Sequence, residues 1–68
     1  MDWTPARIRA LRRELGESVA VFGARLGRSG RTIEDWEQGR WTPTDPLVLR
    51  ELLWLDAGVR TATLSRRV

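Results

Sequence analysis

The chain contains no cysteine, no histidine and no lysine. Without cysteine there is no disulfide and no thiolate metal site. Without histidine the usual general base and the commonest metal ligand are both missing. No apolar run approaches the ~20 residues of a membrane-spanning helix, and the N-terminal stretch lacks the pattern of a secretory signal. These absences lead us to expect a soluble, cytoplasmic protein with no metal, no cofactor, no membrane contact and no small-molecule ligand. Nine carboxylates are present, but no pair has evident catalytic context and the nucleophile–base combinations are poor, so no enzyme is expected. Sixty-eight residues suffice for one domain with a small core. No separate sensor or oligomerisation domain is expected.

The missing lysine is balanced by twelve arginines, and the net charge is +3. Guanidinium groups suit bidentate contacts to phosphate and guanine. A GC-rich codon bias produces the same composition, and the two readings are compatible. The charge is uneven. Arg7, Arg9, Arg12 and Arg13 against Asp2 and Glu14 leave +2 over residues 1–16, and Arg60, Arg66 and Arg67 leave +3 over residues 57–68. The stretch 18–39 between them sums to zero.

Four helices are expected. The first spans about 5–15: Thr4 is a good N-cap, Pro5 suits the first helical position, and Trp3 and Ile8 occupy the hydrophobic-staple positions. Ile8, Leu11 and Leu15 line one face, and Gly16 ends the helix. The second spans about 19–26 behind the cap Ser18, and the third about 30–38, stopping at Gly39. Pro43 makes 40–43 a loop. The fourth starts with Thr44 or Asp45 as cap and Pro46 in its first turn, and ends near Gly58. The remainder, VRTATLSRRV, is compatible with a short strand, a fraying helix or a disordered tail. The domain reading is therefore a folded unit over 1–58 and a tail over 59–68, either flexible or part of a dimer contact.

Residues 19–38, VAVFGARLGRSGRTIEDWEQ, have the form of two short helices joined by a tight turn. Phe22 and Leu26 share one face of the first, and Gly23 carries no side chain to hold a crossing helix away. Gly27 suits the φ > 0 geometry of a sharp turn, and Ser29 caps the second helix. Ile33 and Trp36 anchor that helix inward. Gly30, Arg31, Thr32, Glu34 and Asp35 are then expected to face out near its N-terminal end, the arrangement of a helix-turn-helix whose second helix enters the major groove.

On these residues, segment 8–43 resembles the lambda-repressor-like, Cro/Xre-type helix-turn-helix family. The likeness rests on Leu11, Arg12, Leu15 and Gly16, then Ser18, Phe22, Gly23, Leu26, Gly27 and Ser29, then Thr32, Ile33, Trp36, Glu37, Gly39 and Pro43. The run TIxxWExGxxxP, in register with LGxS, extends beyond the bihelical unit. The resemblance implies a small all-α domain of four or five helices. It implies base-reading positions at Arg31, Asp35 and Thr32, and backbone-contacting positions at Arg12, Ser18, Arg28, Ser29, Gln38 and Arg40. It also implies an ion pair between Arg12 and Glu37. The family often has Gln at the start of its second helix to grip a phosphate; here Val19 leaves only backbone N–H groups and the helix dipole.

The residues leave several choices open. Arg31 suits guanine O6/N7 or a phosphate. Asp35 suits cytosine N4, or an exposed ion pair with Arg31 or Arg28. Glu34 faces solvent or pairs with Arg31. Arg66 and Arg67 belong to a mobile tail or a phosphate-seeking arm. The fourth helix is apolar nearly all round, so one side is surplus to a 68-residue monomer. Leu47, Trp54 and Leu55 form the candidate dimer interface.

Together these features point to a sequence-specific, double-stranded-DNA-binding transcriptional regulator in the cytoplasm of a bacterial or phage-infected cell. It would be a Cro-like or immunity-type repressor that occludes a near-palindromic operator as a homodimer. The alternative is a protein-interaction module on the same scaffold, an antitoxin or an adaptor.

Overall fold

The computed structural model describes residues 3–66, with side-chain burial described through residue 62. Four helices follow one another: α1 (Pro5–Glu14), α2 (Val19–Arg25), α3 (Gly30–Glu37) and α4 (Pro46–Arg66). No strand is present among the described residues, and the domain is all-α as expected. The first three helices begin with one device: the hydroxyl of the N-cap accepts from the backbone N–H three residues on. Thr4 accepts from Arg7, Ser18 from Val21 and Ser29 from Thr32, each at 3.2 Å. Of the two candidate caps for α4 it is Asp45 that acts, taking the Leu47 N–H at 3.0 Å. The first three helices each end one residue earlier than expected, at Glu14, Arg25 and Glu37, with Leu15, Leu26 and Gln38 as their C-caps.

Four side chains are fully buried, one from each helix: Ile8, Phe22, Ile33 and Leu52. Leu11, Leu26, Trp36 and Val48 complete the core, and Trp3 closes it from outside α1. Removing each such side chain from water is worth about 1.5–3 kcal/mol, so the core holds only when all four helices are docked together. α1 packs on both α3 and α4, which fixes the helix pair α2–α3 relative to the C-terminal helix. The staple residue Trp3 is buried, and the Arg7 guanidinium lies 4.3 Å from its ring centroid. Arg7 also reaches Asp56 of α4 at 3.6 Å.

The fourth helix does not end near Gly58; it continues to Arg66. A lone glycine inside a helix costs only about 1 kcal/mol, and no proline follows to stop the chain. The packing stripe Val48, Leu52, Leu55 instead runs on to Val59, which lies against the core beyond the glycine. Of the three conformations open to the tail, the described part is helical. The side chain of Arg66, together with Arg67 and Val68, lies outside the described residues.

Candidate nucleic-acid interface

The turn between α2 and α3 is fixed by backbone contact. A Cβ placed on Gly23 would lie 2.7 Å from the Arg28 carbonyl oxygen and 2.9 Å from that of Ser29. The turn backbone therefore sits where any other residue would carry a side chain. The Arg28 N–H donates to the Gly23 carbonyl at 2.8 Å, and Gly27 turns the chain with φ 69°. The neighbour that glycine 23 admits is thus the turn itself. Gly30 also differs from expectation: its Cβ position points at Ala20 of α2, 3.2 Å from that residue's N and Cα, and not outward. A side chain there would push α3 off α2.

With Ile33 and Trp36 buried, α3 presents Arg31, Glu34 and Gln38 to solvent, and Thr32 and Asp35 are half-buried. Arg31 is the most prominent cation of this face, with 74% of its side chain exposed. Its Nε lies 3.5 Å from Asp35 Oδ1, one helical turn on. A second guanidinium meets the same oxygen: Arg40 Nη1 donates to Asp35 Oδ1 at 3.3 Å. The Arg40 backbone N–H also donates to the Asp35 carbonyl at 2.9 Å. Of the partners weighed for Asp35, Arg31 is present and Arg28 is not. The Arg28 guanidinium instead donates to Asp45, tying the turn to the cap of α4. The Asp45 carboxyl titrates below its usual range, first because it accepts from the Leu47 N–H and then because of Arg28. Among the described residues, Glu34 makes no ion pair, so its pairing with Arg31 does not occur.

Ser18 and Ser29 have their hydroxyls at the N-termini of α2 and α3, engaged in capping. The Thr32 hydroxyl lies 3.2 Å from Ser29 Oγ, so this side chain belongs to the cap of α3 as much as to its outer face.

Behind this face stands a buried carboxylate. Glu37, at the end of α3, is only 7% exposed. Arg12 grips it bidentately, Nε to Oε2 at 2.7 Å and Nη2 to Oε1 at 2.9 Å, and uses Nη1 on the Glu17 carbonyl at 3.0 Å. Arg9 adds Nε to Glu37 Oε1 at 3.4 Å and Nη2 to the Glu37 carbonyl at 3.0 Å. The Arg12 hydrogen bonds hold the Glu37 carboxyl below the usual carboxylate range despite its burial, and Glu37 raises the Arg12 guanidinium in return. Sequence reasoning does not single out Arg9. The available signal is its i, i+3 spacing to Arg12, which puts two guanidiniums on the face that meets α3. A further clamp joins Arg25 to Glu17, and it too lowers the Glu17 carboxyl, chiefly through the Arg25 hydrogen bond.

Leu47 and Trp54 are exposed on α4, together with Leu53. Leu55 is not on that surface: it is partly buried and packs against the core. It belongs to the stripe of Val48, Leu52 and Val59, whereas Leu47 and Trp54, seven residues apart, share the other side. Trp41, in the loop after α3, is exposed.

Chemically, the assembled face offers guanidiniums held by carboxylates at the outer side and C-terminal end of α3. No cluster of acidic residues able to hold a metal ion is present among the described residues, and no described helix is long and apolar enough to cross a membrane. Neither curated proteins nor solved structures provide a match to this chain. The sequence pattern of the helix-turn-helix domain family, however, matches residues 6–64, from the first turn of α1 into the last part of α4. The chain therefore belongs to the helix-turn-helix domain family.

Proposed function

We propose that this protein is a sequence-specific double-stranded DNA-binding regulator of transcription, of the Cro or immunity-repressor type, acting by operator occlusion. The observation that carries the reading is the outer face of α3, where Arg31 projects into solvent from a helix otherwise locked to α1 and α2. An α-helix fits the major groove, and an arginine near its N-terminal end meets guanine O6 and N7. Arg40, Gln38 and Arg9 stand around the C-terminal end of α3, where a helix laid in the groove comes close to phosphates. Arg12 is committed to Glu37 and Glu17 through three of its N–H groups, so its part is chiefly to hold α1 against α3. On the site recovered by selection, Arg31→Ala is expected to cost about 1–3 kcal/mol and to relax preference at one base pair per half-site. Equal weakening on selected and random duplexes would instead assign Arg31 to phosphate.

A single bihelical unit contacts too few base pairs to be selective against roughly 10⁶–10⁹ competing sites. We place the second copy on the outer side of α4. Trp54, 72% exposed, stands on α4 beside the small residues Ala57, Gly58 and Ala62, which leave a shallow gap on the same helix. A Cβ on Gly58 would touch nothing within 4 Å in the chain, so nothing inside the protomer requires the glycine. Bulk and gap on one helix are self-complementary about a twofold axis. Leu47, Leu53 and Trp54 carry this contact, and Leu55 supports it from the core side. Trp54→Glu should sediment as a monomer, keep its helicity, bind one half-site normally and lose its advantage on a two-half-site duplex. A wild-type chain that stays monomeric at high concentration and loads two half-sites independently would contradict the arrangement.

The exposed side of α4 also supports a second reading, a protein-interaction module such as an antitoxin or adaptor. Ionic strength separates the two. Contacts to phosphate weaken steeply with salt, whereas an apolar contact through Trp54 does not.

A further inference from the structure

Two acidic residues, Glu34 and Asp35, lie on the outer side of α3, which is unusual for a surface that meets polyanionic DNA; Glu34 is exposed and Asp35 is half-buried. The surroundings of Asp35 define what it can do. The Asp35 carboxylate is only 17% exposed, while Arg31 and Arg40 on either side are 74% and 58% exposed. An approaching base or phosphate therefore meets these guanidiniums before it meets the Asp35 carboxylate. Both arginines converge on one oxygen, Oδ1. Arg31 does so through Nε, at 3.5 Å, which leaves both of its Nη groups for the bidentate contact that matches guanine O6 and N7. Arg40 is returned to Asp35 by the turn at Gly39, φ 79°, and is bound there by both main chain and side chain.

Resting on the DNA-binding reading above, we infer that Asp35 is a positioning residue that determines specificity without reading a base. It orients the Arg31 fork, and it holds Arg40 back from phosphate. Within the Arg31–Asp35–Arg40 cluster the shared carboxylate leaves an excess of one positive charge instead of two, and the exposed Glu34 carboxylate beside it offsets a further one. This restrains sequence-independent attraction to the phosphate backbone, which grows with the number of phosphates neutralised. Selectivity then comes from two linked effects: a reading group biased in orientation, and a neighbouring cation that a carboxylate keeps occupied.

The test is a set of double-mutant cycles on the full-length chain, using the selected duplex and a random duplex across a salt series. Asp35→Asn, which keeps size and removes charge, is expected to raise affinity for the random duplex and to steepen its log–log salt slope by about 0.9. It should also lower base preference at the Arg31 position about tenfold, within the range that one bidentate contact supplies. In an Arg40→Gln background the salt-slope change disappears. In an Arg31→Ala background the loss of base preference disappears. If Asp35→Asn still alters base preference when Arg31 is alanine, Asp35 reads a base itself and the inference is wrong. A shift in thermal stability with both duplex affinities unchanged also overturns it, leaving Asp35 a helix-end residue. Wild-type protein with no preference among duplexes defeats the DNA-binding reading itself; normal selectivity with an inert Asp35→Asn defeats only the positioning role of Asp35.

Discussion

Glu37→Ala is expected to lose about 3–5 kcal/mol of folding stability, the cost of breaking a buried ion pair by removing one partner. That is a large part of the roughly 5–15 kcal/mol that holds a small domain together. The reason is geometric. Glu37 is buried at the end of α3, and Arg12 and Arg9 of α1 both close on it. Without the carboxylate, Arg12 remains in a site where 18% of its side chain is exposed, with the Glu17 carbonyl as its remaining partner. The junction between α1 and α3 loosens, and DNA affinity falls with it because Arg31 and Arg40 depend on where α3 sits. Chemical denaturation of wild type and variant reads the first effect, and a duplex titration below the unfolding transition reads the second. Unchanged stability and unchanged affinity would dismiss the pair as surface decoration.

The same site predicts an acid limit. The Glu37, Glu17 and Asp45 carboxyls all titrate below their ordinary values, held down by Arg12, by Arg25, and by the Leu47 N–H with Arg28. A carboxyl with a lowered folded-state pKa adds stability that is fully present above its unfolded value, about 3.9–4.3, and is lost as pH falls through the folded value. The melting temperature should therefore hold between neutral pH and about 5, then drop on further acidification. Glu37→Gln should begin lower and fall less steeply. A melting temperature that rises on acidification would reverse the sign and refute this assignment.

Gly23→Ala is expected to cost about 1–3 kcal/mol through overpacking, although alanine is the better helix former by about 1 kcal/mol. The added methyl would meet the Arg28 and Ser29 carbonyl oxygens at 2.7 and 2.9 Å, which are main chain and cannot rotate away. Relief requires the turn to move, and the turn carries α3. Binding to the selected duplex should fall more than binding to random DNA. Gly58→Ala, measured at a dilution where the chain is monomeric, is the control, since within the protomer its new methyl meets nothing within 4 Å. It should raise the melting temperature, while Gly23→Ala lowers it. Equal gains at both positions would show that the close approach at Gly23 relaxes freely.

Most of the architecture is legible in the sequence because it is locally encoded. Hydroxyl caps at Thr4, Ser18 and Ser29, and glycines at 16, 27 and 39 with φ of 68°, 69° and 79°, mark helix ends through contacts within a few residues. What sequence cannot resolve depends on distant partners. Arg28 is a candidate for Asp35 by its position in the chain, but Asp45, seventeen residues on, takes it. Arg40 reaches Asp35 only because the chain turns back after α3. Leu55 and Trp54 are adjacent and equally apolar, so a helix apolar on every side gives no reason to separate them. The position of α1 does, by choosing Val48, Leu52, Leu55 and Val59 as the inner stripe. An end near Gly58 gives a local helix-breaking signal more weight than the continuation of that stripe. Arg9 escapes notice because four arginines on one helix look alike until Glu37 is placed beside two of them.

The central claim, that α3 reads duplex DNA from a twofold-related pair of protomers, is tested most directly by selection of bound sequences from a random duplex pool with the whole chain. The account predicts enrichment of a near-palindrome, with half-site centres about one helical turn apart and a G·C pair in each half whose preference vanishes for Arg31→Ala. A pool that stays random through successive rounds, with binding that does not weaken as salt rises, would contradict it.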